Sequence, residues 1–312
     1  MIPISKRVAF FILANLPVTA LCSDAPATVQ KPVRGADLEA RVQTLLTKVT
    51  RSLRPLKAGT FEMGDWGDEN GVPYDFDAYT RPLHKVTLDG FSMMAYKVTF
   101  DDFDVFTDAT GNQRITMGKL DIEDRAPNRP AGVSWYGAKA FCGWLAKLSR
   151  LPFDLPTEAQ WEYAARSGGK RVLFATSNGK IERKINFPKE REYGEPDVVL
   201  PVGSYPPNPA GLYGMSEDTS EWVNDWFDEE YYKKSPKKNP TGPTSGTKKV
   251  MRGSVGGTAE IAAMVFMRKA SVPQPLEHTY PNGVTSPAVM VPFPGYTGFN
   301  VENFRCVLNA SR

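Results

Sequence analysis

Groups able to do chemistry are few in this chain, and their numbers narrow the choices before their positions do. Two histidines, His84 and His278, are too few for any site built on three imidazoles. Three cysteines are present: Cys22, Cys142 and Cys306. In an oxidising compartment the even pair Cys142 and Cys306 reads either as one disulfide or as two separately buried thiols. Carboxylates concentrate in one stretch, where Asp65, Asp68, Glu69, Asp75 and Asp77 are interleaved with Trp66, Tyr74 and Phe76. Aromatic groups set among charges suit a protein interface, in which aromatic anchors dominate the energy. Asp65, Trp66, Asp68, Glu69, Tyr74, Asp75 and Asp77 are therefore the expected partner-binding residues. A later stretch, Leu276 to Phe299, carries Val284, Val289, Met290, Val291, Phe293 and Tyr296. There, packing of the loop on its own protein is the favoured reading. Trp222 and Trp226, four apart, read as core.

The charge balance excludes some partners. With 38 basic and 35 acidic side chains, the net charge of +3 is too small and too evenly mixed for nucleic acid or an anionic membrane. Lys6 and Arg7 precede an apolar run from Val8 to Leu21, shorter than the roughly 20 residues of a spanning helix. Residues 1–22 read as a signal peptide, with cleavage between Ala20 and Ala25. The expected location is the periplasm, with no integral membrane segment. Cys22 also fits a lipoprotein, although Leu21 is bulky for a lipidation box.

The elements that must hold these groups follow from periodicity and caps. Residues 23–35 read as a linker. From Ala36 to Leu53, Leu38, Val42, Leu45, Leu46 and Val49 recur at helical spacing; residues 36–55 are expected to pack as an N-terminal helix on a main domain of residues 56–312. Ala58–Met63 and His84–Phe91 read as strands. Thr99 caps a helix carrying Phe100, Phe103 and Phe106 that ends at Gly111. Ser134 caps a second, Trp135 to about Leu148. Thr157 and Gln160 form a capping box for a third, through Arg166. Short strands, glycine turns and proline loops follow, so the fold class is a single α+β domain, irregular and loop-rich.

Longer strings carry a resemblance. They include Gly59-Thr60-Phe61-Glu62-Met63-Gly64, Arg129-Pro130-Ala131-Gly132-Val133-Ser134-Trp135 and Leu155-Pro156-Thr157-Glu158-Ala159-Gln160-Trp161-Glu162-Tyr163-Ala164-Ala165-Arg166. Asn208-Pro209-Ala210-Gly211-Leu212-Tyr213-Gly214-Met215, Glu221-Trp222-Val223-Asn224-Asp225-Trp226, Arg252-Gly253-Ser254 and Asn303-Phe304-Arg305-Cys306 follow in order. From about residue 56 to 308 the chain resembles the formylglycine-generating enzymes, or sulfatase-modifying factors. The resemblance implies their C-type-lectin-related fold. It also implies a disulfide between Cys142 and Cys306, and a structural calcium held by the Glu221 carboxylate with backbone oxygens of Glu217 and Thr219. It does not carry the family's copper chemistry. The oxygen-dependent enzymes bind copper(I) through two cysteines after the Arg-Gly-Gly-Ser segment, and thiolates are what copper(I) selects. Here Met251 to Ser271 holds no cysteine, so no copper is expected.

The resemblance then implies a pseudoenzyme. Members of this fold without those cysteines include periplasmic immunity proteins of type VI secretion phospholipase effectors, and the expected function is binding and inhibition of such a toxic lipase. The alternative is a periplasmic oxidoreductase of the pyoverdine-chromophore-maturation type, with Glu260 in its glycine-flanked loop as the general base.

Overall fold

The computed structural model describes residues 35–116, 125–189, 199–217, 219–254, 260–279, 289–292 and 295–310. The signal peptide expected at 1–22, its expected cleavage site, Cys22 and the linker expected at 23–35 lie outside the described residues, apart from Gly35, and so do Val284 and Phe293.

Helix α1, Gly35–Ser52, buries Leu45 and Val49 and sets Val42 and Leu46 against the same apolar cluster. It runs straight into β1, Leu53–Leu56. Arg41–Asp108 at 2.8 Å and Lys48–Asp102 at 2.6 Å tie it to α2, Phe100–Thr110. Both pairs are partly exposed, so each contributes about 0–1 kcal/mol and the apolar stripe holds the helix.

The three caps read from the sequence are present. Thr99 and Asp102 form a full capping box on α2, and Gly111, at φ +70°, closes its C-terminus. Ser134 accepts from Gly137 N at the start of α3, Trp135–Ser149. Thr157 and Gln160 form the box on α4, Glu158–Ala165. Between α2 and α3 the rings of Phe103, Phe106, Phe141, Phe304 and Tyr296 meet at 5.2–6.3 Å between centroids. Tyr296, half-buried, packs against this cluster.

The expected strand His84–Phe91 is two strands. Asp89 and Gly90 interrupt it, leaving β3, His84–Leu88, paired with β2, Gly59–Met63, and sending β4, Phe91–Met94, to pair with β1. At Gly90 a Cβ would stand 3.4 Å from Ala58 N and Leu56 O, where one backbone crosses close to another. Continuous alternation across residues 84–91 hid that turn.

The remaining strands are β5, Phe153–Asp154; β6, Ser220–Trp226; β7, Lys249–Gly253; β8, Lys269–Ser271; β9, Leu276–Thr279; β10, Val289–Pro292; β11, Glu302–Asn303; and β12, Val307–Asn309. One sheet has the order β1-β4-β12-β5, another β11-β6-β7-β8, and β9 pairs with β10. β11 lies parallel to β6, with Glu302 opposite Ser220. Trp222 is fully buried and donates from Nε1 to Val133 O. Trp226 stacks near Trp135 with the Lys249 ammonium 3.6 Å from its ring centre. Cys142 of α3 and Cys306, just before β12, are joined as a disulfide with Cα atoms 5.7 Å apart. No helix among the described residues is long and apolar enough to cross a membrane.

Candidate functional site

Beneath the site lies a buried charge network. α4 points Glu158 and Glu162 into the core, and β7 meets them with Arg252, which is wholly buried. Arg252 donates to Glu158 Oε1 at 3.0 Å, Glu162 Oε2 at 2.7 Å, Phe266 O at 3.1 Å and Val265 O at 2.6 Å. Arg268 forks onto both oxygens of Glu158, and Arg166 reaches Glu162 at 3.0 Å. Burial opposes the charge on Glu158, but Arg268 and Arg252 outweigh it and hold the carboxyl below its usual range.

The network reaches a loop through Gly64. The other oxygen of Glu162 accepts from Gly64 N at 3.0 Å. Gly64 has φ +112°, and a Cβ there would stand 2.6 Å from Thr80 O, so only glycine fits. From this point residues 64–82 form a loop fixed from inside. Asp65 is buried, accepting Gly67 N at 2.8 Å and Asp75 N at 2.9 Å. Asp75 is buried as well, accepting Asp77 N at 3.0 Å and the Thr80 hydroxyl at 2.8 Å. Burial raises the Asp75 carboxyl above its ordinary value despite these bonds. Asp68 accepts Asn70 N and Val72 N, each at 2.8 Å.

Expected binding residues are thereby redistributed. Asp65 and Asp75 are internal braces rather than contact residues, because a tight loop has more amide donors than its own carbonyls can satisfy. Trp66 and Tyr74 pack edge-on and stacked against Phe266, at 5.1 and 6.0 Å, and the Arg166 guanidinium lies 4.7 Å from the Trp66 ring centre. Glu69 and Asp77 remain exposed, and Asp68 is half-buried. The group most fully presented is Phe76, 94% exposed, with Val72 exposed four residues before it. An open groove of about 640 Å³ runs alongside, bordered by Trp66, Pro73, Arg81, Pro82, Leu83 and Lys233. By residue type Phe76 is one aromatic among several, because an alternation of braced and free positions leaves no mark on composition.

Glu260 begins a short 3₁₀ turn, Glu260–Ala263, is exposed, and pairs with Arg183 at 3.3 Å. That is a solvated ion pair and lacks the burial that tunes a general base. A carboxyl of that kind stands instead at Glu302, in a strand of two residues that carries no sequence pattern. It is 2% exposed; Ser271 donates to Oε1 at 3.0 Å, and Oε2 has no hydrogen-bond partner among the described residues. Burial pushes it up to about 7, with Lys269 pulling the other way. Burial, aided by neighbouring Glu158, also pushes Asp225 up to about 7.

These two carboxyls set a pH dependence. Each binds its proton more tightly folded than unfolded, so the native state holds extra protons between about pH 4 and 7. Stability from both is fully present below about 4 and is lost as pH rises through about 7. From pH 5 to 7.5 the unfolding free energy should fall, by up to about 2 kcal/mol per group. Urea midpoints of the native protein and Glu302→Gln check this. The variant should show a flatter profile, and identical slopes would remove Glu302 as the cause.

The metals implied by resemblance can be tested against the residues present. A two-thiolate copper site cannot be assembled: Cys142 and Cys306 are bonded to each other, and one further cysteine exists in the sequence. The calcium ligand set does not fit either. Glu221 is the carboxylate of that set, and both its oxygens are taken by Arg305, at 2.7 and 2.8 Å. Calcium seeks six to eight oxygens, not sites already facing cations.

Known proteins bear on the same body. A sulfatase-modifying factor enzyme 1-like domain matches residues 43–277. The formylglycine-generating enzyme of Streptomyces coelicolor is 32% identical over 256 residues, covering 65% of this chain and 78% of that protein. Serine/threonine-protein kinase Pkn1 of Chlamydia trachomatis serovar L2 is 32% identical over 284 residues, 85% of this chain; the chain spans 42% of that kinase. Among solved structures, PvdO from Pseudomonas aeruginosa superposes with a TM-score of 0.56 at 23% identity, over 83% of this chain and 94% of that one, a likeness of fold. The domain match and the bacterial relative together place the chain in the formylglycine-generating enzyme, or sulfatase-modifying factor, family.

Proposed function

We propose that this member of the family acts by binding a protein partner, with Phe76 as the anchor. The observation that carries the reading is an aromatic side chain 94% exposed on a backbone held by three carboxylate braces. A large apolar group fixed in water gains most when it enters a pocket, and a rigid loop loses little freedom in doing so. Glu69 and Asp77, exposed on the same loop, favour a pocket with a cationic rim. A periplasmic toxic lipase, of the phospholipase class delivered by type VI secretion, meets that description, since it needs cationic groups to hold phosphate. Inhibition of such an enzyme is the finer form of the proposal.

The test is retrieval of the tagged chain with its partner from the periplasm of its host, identification by mass spectrometry, and titration of variants. Phe76→Ser should weaken binding about 30-fold, the loss typical of a hot spot, while its thermal midpoint stays near that of the native protein. Unchanged affinity removes the loop from the interface. The enzymatic alternative has one observation in its favour, the buried Glu302 poised near neutrality. It predicts turnover of a peptide-like substrate that Glu302→Gln abolishes and Glu260→Gln does not.

A further inference from the structure

A second unassigned arrangement lies across the body, where the segment from Gly214 leads into β6. Lys97, just after β4, is only 4% exposed, which is rare for a lysine. Its ammonium donates to the Thr219 hydroxyl. A Cβ placed on Gly214 would stand 3.4 Å from Glu217 Oε2 and 3.8 Å from Lys97 Nζ. Ammonium, carboxylate and hydroxyl therefore enclose one spot. The cavity left beside them is about 20 Å³, room for about one water. One step along the chain, Arg305 clamps Glu221 with two parallel bonds. Glu221 is thus held by a fixed cation, and Glu217 lines the same cavity as the Lys97 ammonium.

We infer that Lys97 is the resident cation of the 214–221 segment, its ammonium filling the place of a divalent ion, so that the protein does not depend on calcium. An ammonium on a chain tether cannot be chelated or diluted away, whereas a bound ion contributes only in proportion to its free concentration. The same geometry specifies what its removal creates. Truncation at Cβ leaves a space lined by Glu217, the Thr219 hydroxyl and Gly214, large enough for an ion with waters. A methionine removes the charge but keeps the space filled.

The experiment measures thermal midpoints of the intact chain in EDTA and in roughly 5 mM calcium chloride, well above the dissociation constants of weak oxygen sites. The native protein should move by less than about 1 °C. Lys97→Ala should be destabilised in EDTA and regain roughly 5 °C with calcium. Lys97→Met should be destabilised and gain nothing. A native protein stabilised by several degrees overturns the inference, as does a folded Lys97→Ala with no response. Should Lys97→Ala fold in neither condition, calorimetric titration of the native protein decides: calcium binding tighter than about 1 mM overturns it, and absence of heat supports it.

Discussion

Arg252→Met is expected to cost about 3–5 kcal/mol of stability, the usual consequence of removing one partner from a buried ion network. Counting charges alone would suggest otherwise. Arg166, Arg252 and Arg268 outnumber Glu158 and Glu162, so deleting one arginine leaves a neutral set. The damage is local. Glu162 Oε2 loses its 2.7 Å donor, and the carbonyls of Val265 and Phe266 lose theirs, all out of reach of water. Met fills the volume without supplying a donor. For a domain of this size the thermal midpoint should fall by roughly 10 °C. Arg252→Lys should recover little, since one ammonium cannot fork onto two carboxylates and two carbonyls. Arg171→Met is the matching control. Its pair with Glu62 is about half exposed on both sides and should be worth under about 1 kcal/mol. Urea denaturation of the three variants separates these cases, and a loss under about 1 kcal/mol for Arg252→Met would show that the network does not hold α4 to β7.

Removing the disulfide by the double change Cys142→Ser, Cys306→Ser should be comparably severe. The bridge spans 164 residues. Chain entropy assigns a loop that long about 5 kcal/mol of destabilisation of the unfolded state, and losses in native proteins run at about 2–5 kcal/mol. Both sulfurs are fully buried, so two hydroxyls at those positions add a desolvation penalty. Alanine at both positions avoids that penalty but vacates the volume of two sulfurs. Urea midpoints of the native protein with and without strong reductant keep the sulfurs in place, and the reduced protein should fall by somewhat less than the alanine pair. Equal midpoints under oxidising and reducing conditions would mean that the bond adds nothing beyond packing.

The helices were legible because their signals are local. Thr99, Ser134 and Thr157 announce themselves by residue type at fixed distances from the apolar positions that follow. The fold as a whole was legible through long ordered strings. What escaped was set by tertiary geometry. Asp65 and Asp75 look like any surface carboxylates until the amides of residues 67, 75 and 77 turn toward them. Glu221 reads as a ligand for an ion until Arg305, 84 residues away, takes both its oxygens. Lys97 is a long cationic side chain, which by type belongs in water; the Thr219 hydroxyl that accepts its hydrogen bond lies 122 residues away. Glu302 sits in a two-residue strand too short for any pattern. For Glu221, Lys97 and Glu302 the deciding contact spans 84, 122 and 31 residues, beyond the reach of spacing rules. The Asp65 and Asp75 braces are local but depend on how the loop turns.

The placement of β12 has a bearing on how the protein is made. Its three residues lie between β4 and β5, and Arg305 just before it grips Met94 from 211 positions away. During synthesis β4 and β5 are complete long before their shared neighbour emerges, and each waits with an unpaired edge. Cys142 waits likewise for Cys306. The nascent polypeptide thus passes through an extended period as an open-edged, reduced species, the kind that chaperones of extended segments retain and that self-associates when they are scarce. Yield in a recombinant host should therefore depend more on holdase supply than on the stability of the finished molecule.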